Sequence, residues 1–168
     1  MNGIIDVTGG KFIVLDDAYK SRSKDTYKDR YATGKETAEY LKDGNKSLFK
    51  NTIASCVTDN LTGEIFNNQK KRDSDKKCFE ALGYIAGLGK RFFPDSEIYK
   101  VADETFNKLH DIMELHSKIL NKEGRYFQVN MKEGKKMTPN PHLRHVETQF
   151  ECTANEAGGR IIGLLLEM

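Results

Sequence analysis

Between Asp95 and Gly124 apolar side chains recur every three or four residues, and this stretch constrains the fold of the chain more than any other. Ile98, Ala102, Leu109, Ile112 and Ile119 fall on one stripe with Thr105 and His116, and Phe106, Met113 and Leu120 widen it. That is the period of an amphipathic helix, with Asp95 able to cap its start and Gly124 able to stop it. A face so broad must be covered by another layer, and the expectation is that it lies across a sheet.

A second helix is expected from Ser74, which can act as its N-cap, to Pro94, which ends it. Cys78, Leu82, Ile85 and Phe92 form its main stripe, with Phe79, Ala81, Ala86 and Leu88 beside them. Gly83 and Gly87 fall on a different face, and a glycine inside a helix costs about 1 kcal/mol relative to alanine. Their removal of side chains opens a notch that a neighbouring backbone can enter, from this chain or from a second subunit. Gly83 and Gly87 are therefore candidate interface positions. The run Gly83 to Lys90 lacks the spacing of a phosphate-binding loop.

Both ends of the chain read as strands. Gly3–Val7 and Lys11–Leu15 are rich in β-branched residues around Gly9-Gly10, a hairpin signal. Thr52–Thr58 and Glu64–Phe66 suggest another hairpin, with a helix over Leu48–Val57 as the alternative; Lys35–Lys42 is compatible with a short helix, and Tyr19–Tyr31 is ambiguous. Tyr126–Met131 is a candidate strand, Lys132–Lys136 a turn, and Thr138-Pro139-Asn140-Pro141 a rigid loop. From His142 to Cys152, Val146, Thr148, Phe150 and Cys152 alternate with polar residues, as a half-buried strand would. Ala154–Gly159 then reads as a turn, and Arg160–Glu167 as a strand buried on both faces. The expected architecture is a single α+β domain over residues 1–168. Its mostly antiparallel sheet is built from N- and C-terminal hairpins, with the two central helices packed on one face.

The first residues carry no secretory signal and no apolar run is long enough to span a bilayer, so a soluble, cytoplasmic protein without membrane contact is expected. Cys56, Cys78 and Cys152 are scattered and odd in number, which suits buried thiols and not a disulfide framework or a metal knuckle. The net charge is only +2, so any nucleic-acid site must come from local clusters. One such cluster interleaves Lys20, Arg22, Lys24, Lys28 and Arg30 with Tyr19, Tyr27 and Tyr31, offering charge for phosphates and flat rings for bases. Lys70, Lys71 and Arg72 extend it. The competing explanation is a solvated segment whose tyrosines tuck onto the domain.

Other polar groups fit ordinary surfaces better than active sites. Asp103, Asn107, His110 and Glu114 share a helical face but lack a di-iron or zincin spacing, and a His110–Glu114 contact across one turn explains them. His116, on the apolar stripe, suits a hydrogen-bonded core histidine. His142 and His145 would point to opposite faces of a strand, whereas His145 and Glu147 would share one, as a base and its orienting acid do. No metal or cofactor is called for, and no small-molecule ligand is indicated. Three function classes remain, in this order. The first is a non-enzymatic binding or assembly module acting through protein–protein contacts or self-association, a kind common among small viral structural or accessory and mobile-element proteins. The second is a single-stranded nucleic-acid-binding domain. The third is a small hydrolase or metal enzyme using His110, His142, His145 or Glu147.

Overall fold

The structure, a computed structural model, describes residues 25–66, 73–132 and 134–168. Within them the chain forms helices α1 (Tyr27–Glu39), α2 (Lys46–Asn60), α3 (Ser74–Phe92) and α4 (Ile98–Glu123). A hairpin of β1 (Tyr126–Met131) and β2 (Gly134–Pro139) and a last helix, α5 (Pro141–Leu166), follow. The expected sheet-based α+β fold is thus overturned: the body is helical, and its one described sheet has two strands. The predicted hairpin over Gly3–Leu15 lies outside the described residues.

The helix α3 is the hub. From Cys78 to Ile85 it is buried all round, the pattern of a helix inside a protein and not on its surface. It packs against α1, α2 and α4, while α5 closes the bundle against α4 and α2. Phe79 sits at the centre, in ring contact with Tyr27, Phe106 and Phe150 from three other helices. The predicted bounds of α3 and α4 hold, and the α4 stripe is buried at Ile98, Ala102, Thr105, Leu109, Met113 and His116. Other helices, however, cover that stripe. The caps shift slightly: Asp73, with left-handed φ of 56°, precedes α3 in place of Ser74, and the Ser96 hydroxyl, not Asp95, accepts the Ile98 N–H at 3.1 Å.

Three segments expected as strands, Thr52–Thr58, His142–Cys152 and Arg160–Glu167, are helical, and for the first the alternative helix over Leu48–Val57 is the one found. In α2, Phe49, Ile53, Cys56 and Val57 fall on one buried face, and the Asn45 side chain accepts the Leu48 N–H at 2.8 Å as its N-cap. Its threonines are accommodated because Thr52 and Thr58 donate their hydroxyls to the carbonyls of Leu48 and Ala54, one turn back. In α5 the buried set is Leu143, Val146, Phe150, Ala154, Ala157, Ile161 and Leu165, a spacing of three and four. The apparent alternation through Thr148 and Cys152 is incidental, since both are exposed along the helix and Cys152 is not the buried thiol expected. Ala154–Gly159 is no turn. A Cβ on Gly158 would meet Val57 Cγ1 at 3.0 Å, so that glycine lets α2 and α5 close on each other. The C-terminal run is buried on one side only, with Ile161 and Leu165 inward and Leu166 82% exposed. The Asn140 side chain and Pro141 start α5, which leaves Pro139 at the very end of β2.

The notch over Gly83 and Gly87 is filled by the chain itself. A Cβ on Gly83 would lie 2.0 Å from the Tyr31 carbonyl oxygen, one on Gly87 2.6 Å from Ala38 Cβ, and one on Gly34 of α1 2.0 Å from the Glu80 carbonyl oxygen. The helices α1 and α3 therefore touch backbone to backbone, and the interface these glycines make is intramolecular.

Candidate functional site

The start of α1 carries the aromatic and basic residues that suggested a nucleic-acid surface. A capping box joins Thr26 and Asp29 and fixes the helix phase, which sends Tyr27, Arg30 and Tyr31 to one side, toward α3 and α4. The Tyr27 hydroxyl donates to Asp75 at 2.5 Å; the Tyr31 hydroxyl donates to Asp103, and its ring stacks on Phe106 at 4.1 Å. Burial, reinforced by these carboxylates, pushes both hydroxyls well above the ordinary tyrosine range. Arg30 reaches Glu80 at 2.5 Å and Asp25 at 2.6 Å, and Lys76 meets Asp25 at 2.7 Å. Burial raises the Glu80 carboxyl, partly offset by Arg30.

The rings that would stack on bases are thus spent on the core, and Arg30 on an internal ion pair. Lys28 is exposed. Tyr19, Lys20, Arg22, Lys24, Lys70, Lys71 and Arg72 lie outside the described residues. The helical spacing of Tyr27, Arg30 and Tyr31, first and fourth and fifth in a run, is the sequence signal that pointed inward.

A cleft of about 340 Å³ opens where α4 and α5 meet the start of α1 and the start of α3, at Asp73 to Asp75. Inside it His116 Nε2 lies 2.9 Å from Glu147 Oε2, and the Phe66 ring stacks over the imidazole at 5.8 Å. His116 is the hydrogen-bonded core histidine expected. With side-chain exposures of 8% and 16%, the pair ties α4 to α5. Glu151, also on α5, accepts the N–H groups of Ile65 and Phe66 at 2.6 and 3.3 Å and holds the incoming chain against the cleft.

The residues named for an enzyme are not gathered there. Only Glu147 among them lines the cleft. His142 bonds Glu123 at 2.6 Å at the C-terminal end of α4, outside the lining of the cleft, and His145 is exposed. On a helix His145 and Glu147 are about 200° apart, so they do not share the face a strand would have given them. His110 meets Glu114 at 3.5 Å as anticipated, with Asp111 beside them on the outer surface of α4, an arrangement that helical spacing produces by itself.

The β1–β2 arm is the feature that the sequence only half disclosed. Its strands pair antiparallel from Tyr126 with Pro139 to Met131 with Gly134. Gly124 at its base has φ of 83°, and Asn140 ties the base shut, donating from its side chain to the Gly124 carbonyl at 2.9 Å and from its backbone to the Arg125 carbonyl at 2.8 Å. That last bond sets the phase of the ladder. Hydrogen-bonded pairs alternate, so 127 with 138, 129 with 136 and 131 with 134 bond each other. Tyr126, Gln128 and Asn130 on β1, and Lys135, Met137 and Pro139 on β2, then turn their backbone groups away from the partner strand. Among the described residues no third strand covers either edge. Tyr126, Val129 and Met137 are 57%, 43% and 56% exposed.

No protein-family model, no curated protein and no solved structure matches the chain. None of the described helices is long and apolar enough to cross a membrane.

Proposed function

We propose that the chain is a non-enzymatic binding or assembly module that acts through protein–protein contacts, with the β1–β2 arm as the contact surface. The observation that carries this reading is the open edge of β1. Exposed strand edges recruit further strands, and folded proteins ordinarily guard them with charge, proline or a covering element. The β2 edge has such guards in Lys135, Lys136 and Pro139, whereas Tyr126-Phe-Gln-Val-Asn-Met131 contains no charged residue, proline or glycine. Backbone pairing along β1 supplies affinity, and the exposed Tyr126 and Val129 side chains supply selectivity.

The nucleic-acid alternative is weakened by the internal commitments of Tyr27, Arg30 and Tyr31. A photo-crosslinking phenylalanine analogue placed at Val129 in the producing cell tests the proposal, with Leu115, 46% exposed on α4, as the control position. Covalent capture of a polypeptide at Val129 and not at Leu115 is expected. Capture of nucleic acid, equal capture at both positions, or none at Val129 would overturn the assignment.

A further inference from the structure

Resting on the arm as a protein-contact surface, we infer that its occupant is the β1 strand of a second copy of this chain, paired antiparallel about a two-fold axis through Gln128. Three features of the edge lead to this partner. First, its outward backbone groups belong to Tyr126, Gln128 and Asn130, so they are spaced evenly on either side of Gln128. An antiparallel copy centred there pairs Gln128 with Gln128 and Tyr126 with Asn130, and each outward N–H meets an outward carbonyl. Second, the intervening positions then oppose Phe127 to Val129, an aromatic and a β-branched side chain, which is a favourable cross-strand combination. Third, the strand carries no charge, so a copy meets no like charge, and an acidic or basic partner finds no complement on it.

The β2 edge cannot do the same. Its outward residues are Lys135, Met137 and Pro139, the last without an N–H, so a copy centred on Met137 sets Lys135 opposite a Pro139 that cannot donate and loses a bond at each end of the pairing. With β2 guarded, growth stops at a closed four-stranded sheet across two molecules and does not continue into a filament. Two six-residue strands bury less than the roughly 1,200 Å² of a standard stable interface, so the association depends on concentration.

The test uses full-length chain and light scattering across a wide dilution range. The mass of the wild type is expected to double from 19.1 kDa as concentration rises. Q128P removes an N–H that the arm's own ladder does not use, and it should hold the chain at 19.1 kDa with unchanged helical circular dichroism. M137P makes the equivalent change on β2 and should dimerise like the wild type. A wild type that stays monomeric throughout, a Q128P chain that still dimerises, or loss of dimer in M137P but not Q128P would each overturn self-pairing. If the wild type is monomeric while Val129 crosslinks to a different polypeptide, the arm remains a contact surface and only self-pairing falls. A crosslink from Val129 to residues 1–24 of its own molecule overturns both.

Discussion

Replacing Gly83 by alanine adds one methyl group at the point where α3 meets α1. That methyl carbon would sit 2.0 Å from the Tyr31 carbonyl oxygen, 2.9 Å from its carbon and 3.1 Å from the Lys35 nitrogen. Carbon atoms pack at about 3.5–4.0 Å, so α1 must withdraw by more than about 1 Å, and backbone on both sides leaves no rotamer to absorb the overlap. Withdrawal loosens a seam that buries Thr33, Thr37, Ala38 and Glu80. Alanine returns about 1 kcal/mol of helix propensity. Overpacking costs about 1–3 kcal/mol and more where the neighbours are rigid. With backbone on both sides the cost falls at or just above the top of that range, about 3–4 kcal/mol, so the net loss is about 2–3 kcal/mol, which for a chain of this size lowers Tm by about 4–12 °C. Urea unfolding followed by circular dichroism measures it directly, as a lower midpoint at unchanged slope. Gly159→Ala and Gly163→Ala on α5 are the controls: nothing lies within 4 Å of a Cβ at either position, and each should gain about 0.5–1 kcal/mol. A Gly83→Ala chain as stable as the wild type, beside a stabilised Gly159→Ala chain, would refute the backbone contact.

Two further changes probe the interior. Arg30→Ala strands the Glu80 carboxylate at 6% side-chain exposure and should cost about 3–5 kcal/mol at neutral pH. Burial already raises the Glu80 carboxyl, so its contribution is fullest below the usual carboxylate range and is lost as pH rises through the folded value. The Arg30→Ala deficit should therefore shrink on acidification as Glu80 takes up a proton; an equal deficit at mildly acidic and neutral pH would contradict this. Thiol labelling followed by mass spectrometry should find only Cys152 modified in the native chain, because Cys56 and Cys78 are buried and burial pushes both thiols up. Prompt native labelling of either buried thiol would show that the α2–α3 contact is not closed.

Local pattern determined α3 and α4, including the stop at Gly124, because their apolar stripes and flanking Pro94 and Gly124 speak to the chain's own period and need no partner to be read. It also marked β1, and it flagged Gly83 and Gly87 as places where a backbone comes close. At α5 it failed, and at α2 it put the helix over Leu48–Val57 second, because β-branched and alternating residues there favour a strand locally; the bundle overrode that preference by burying Ile53 and Val57, and Phe150 and Ile161, at helical spacing. Tertiary structure alone decided what the ambiguous residues do. The tyrosines of α1 turn inward because the glycine seam brings that helix against α3, where Asp75 waits for Tyr27, and within reach of Asp103 on α4 for Tyr31. Charge and aromaticity are written in the sequence, but whether they face water or the core depends on which helix lies alongside, and that is a property of packing between segments far apart in the chain.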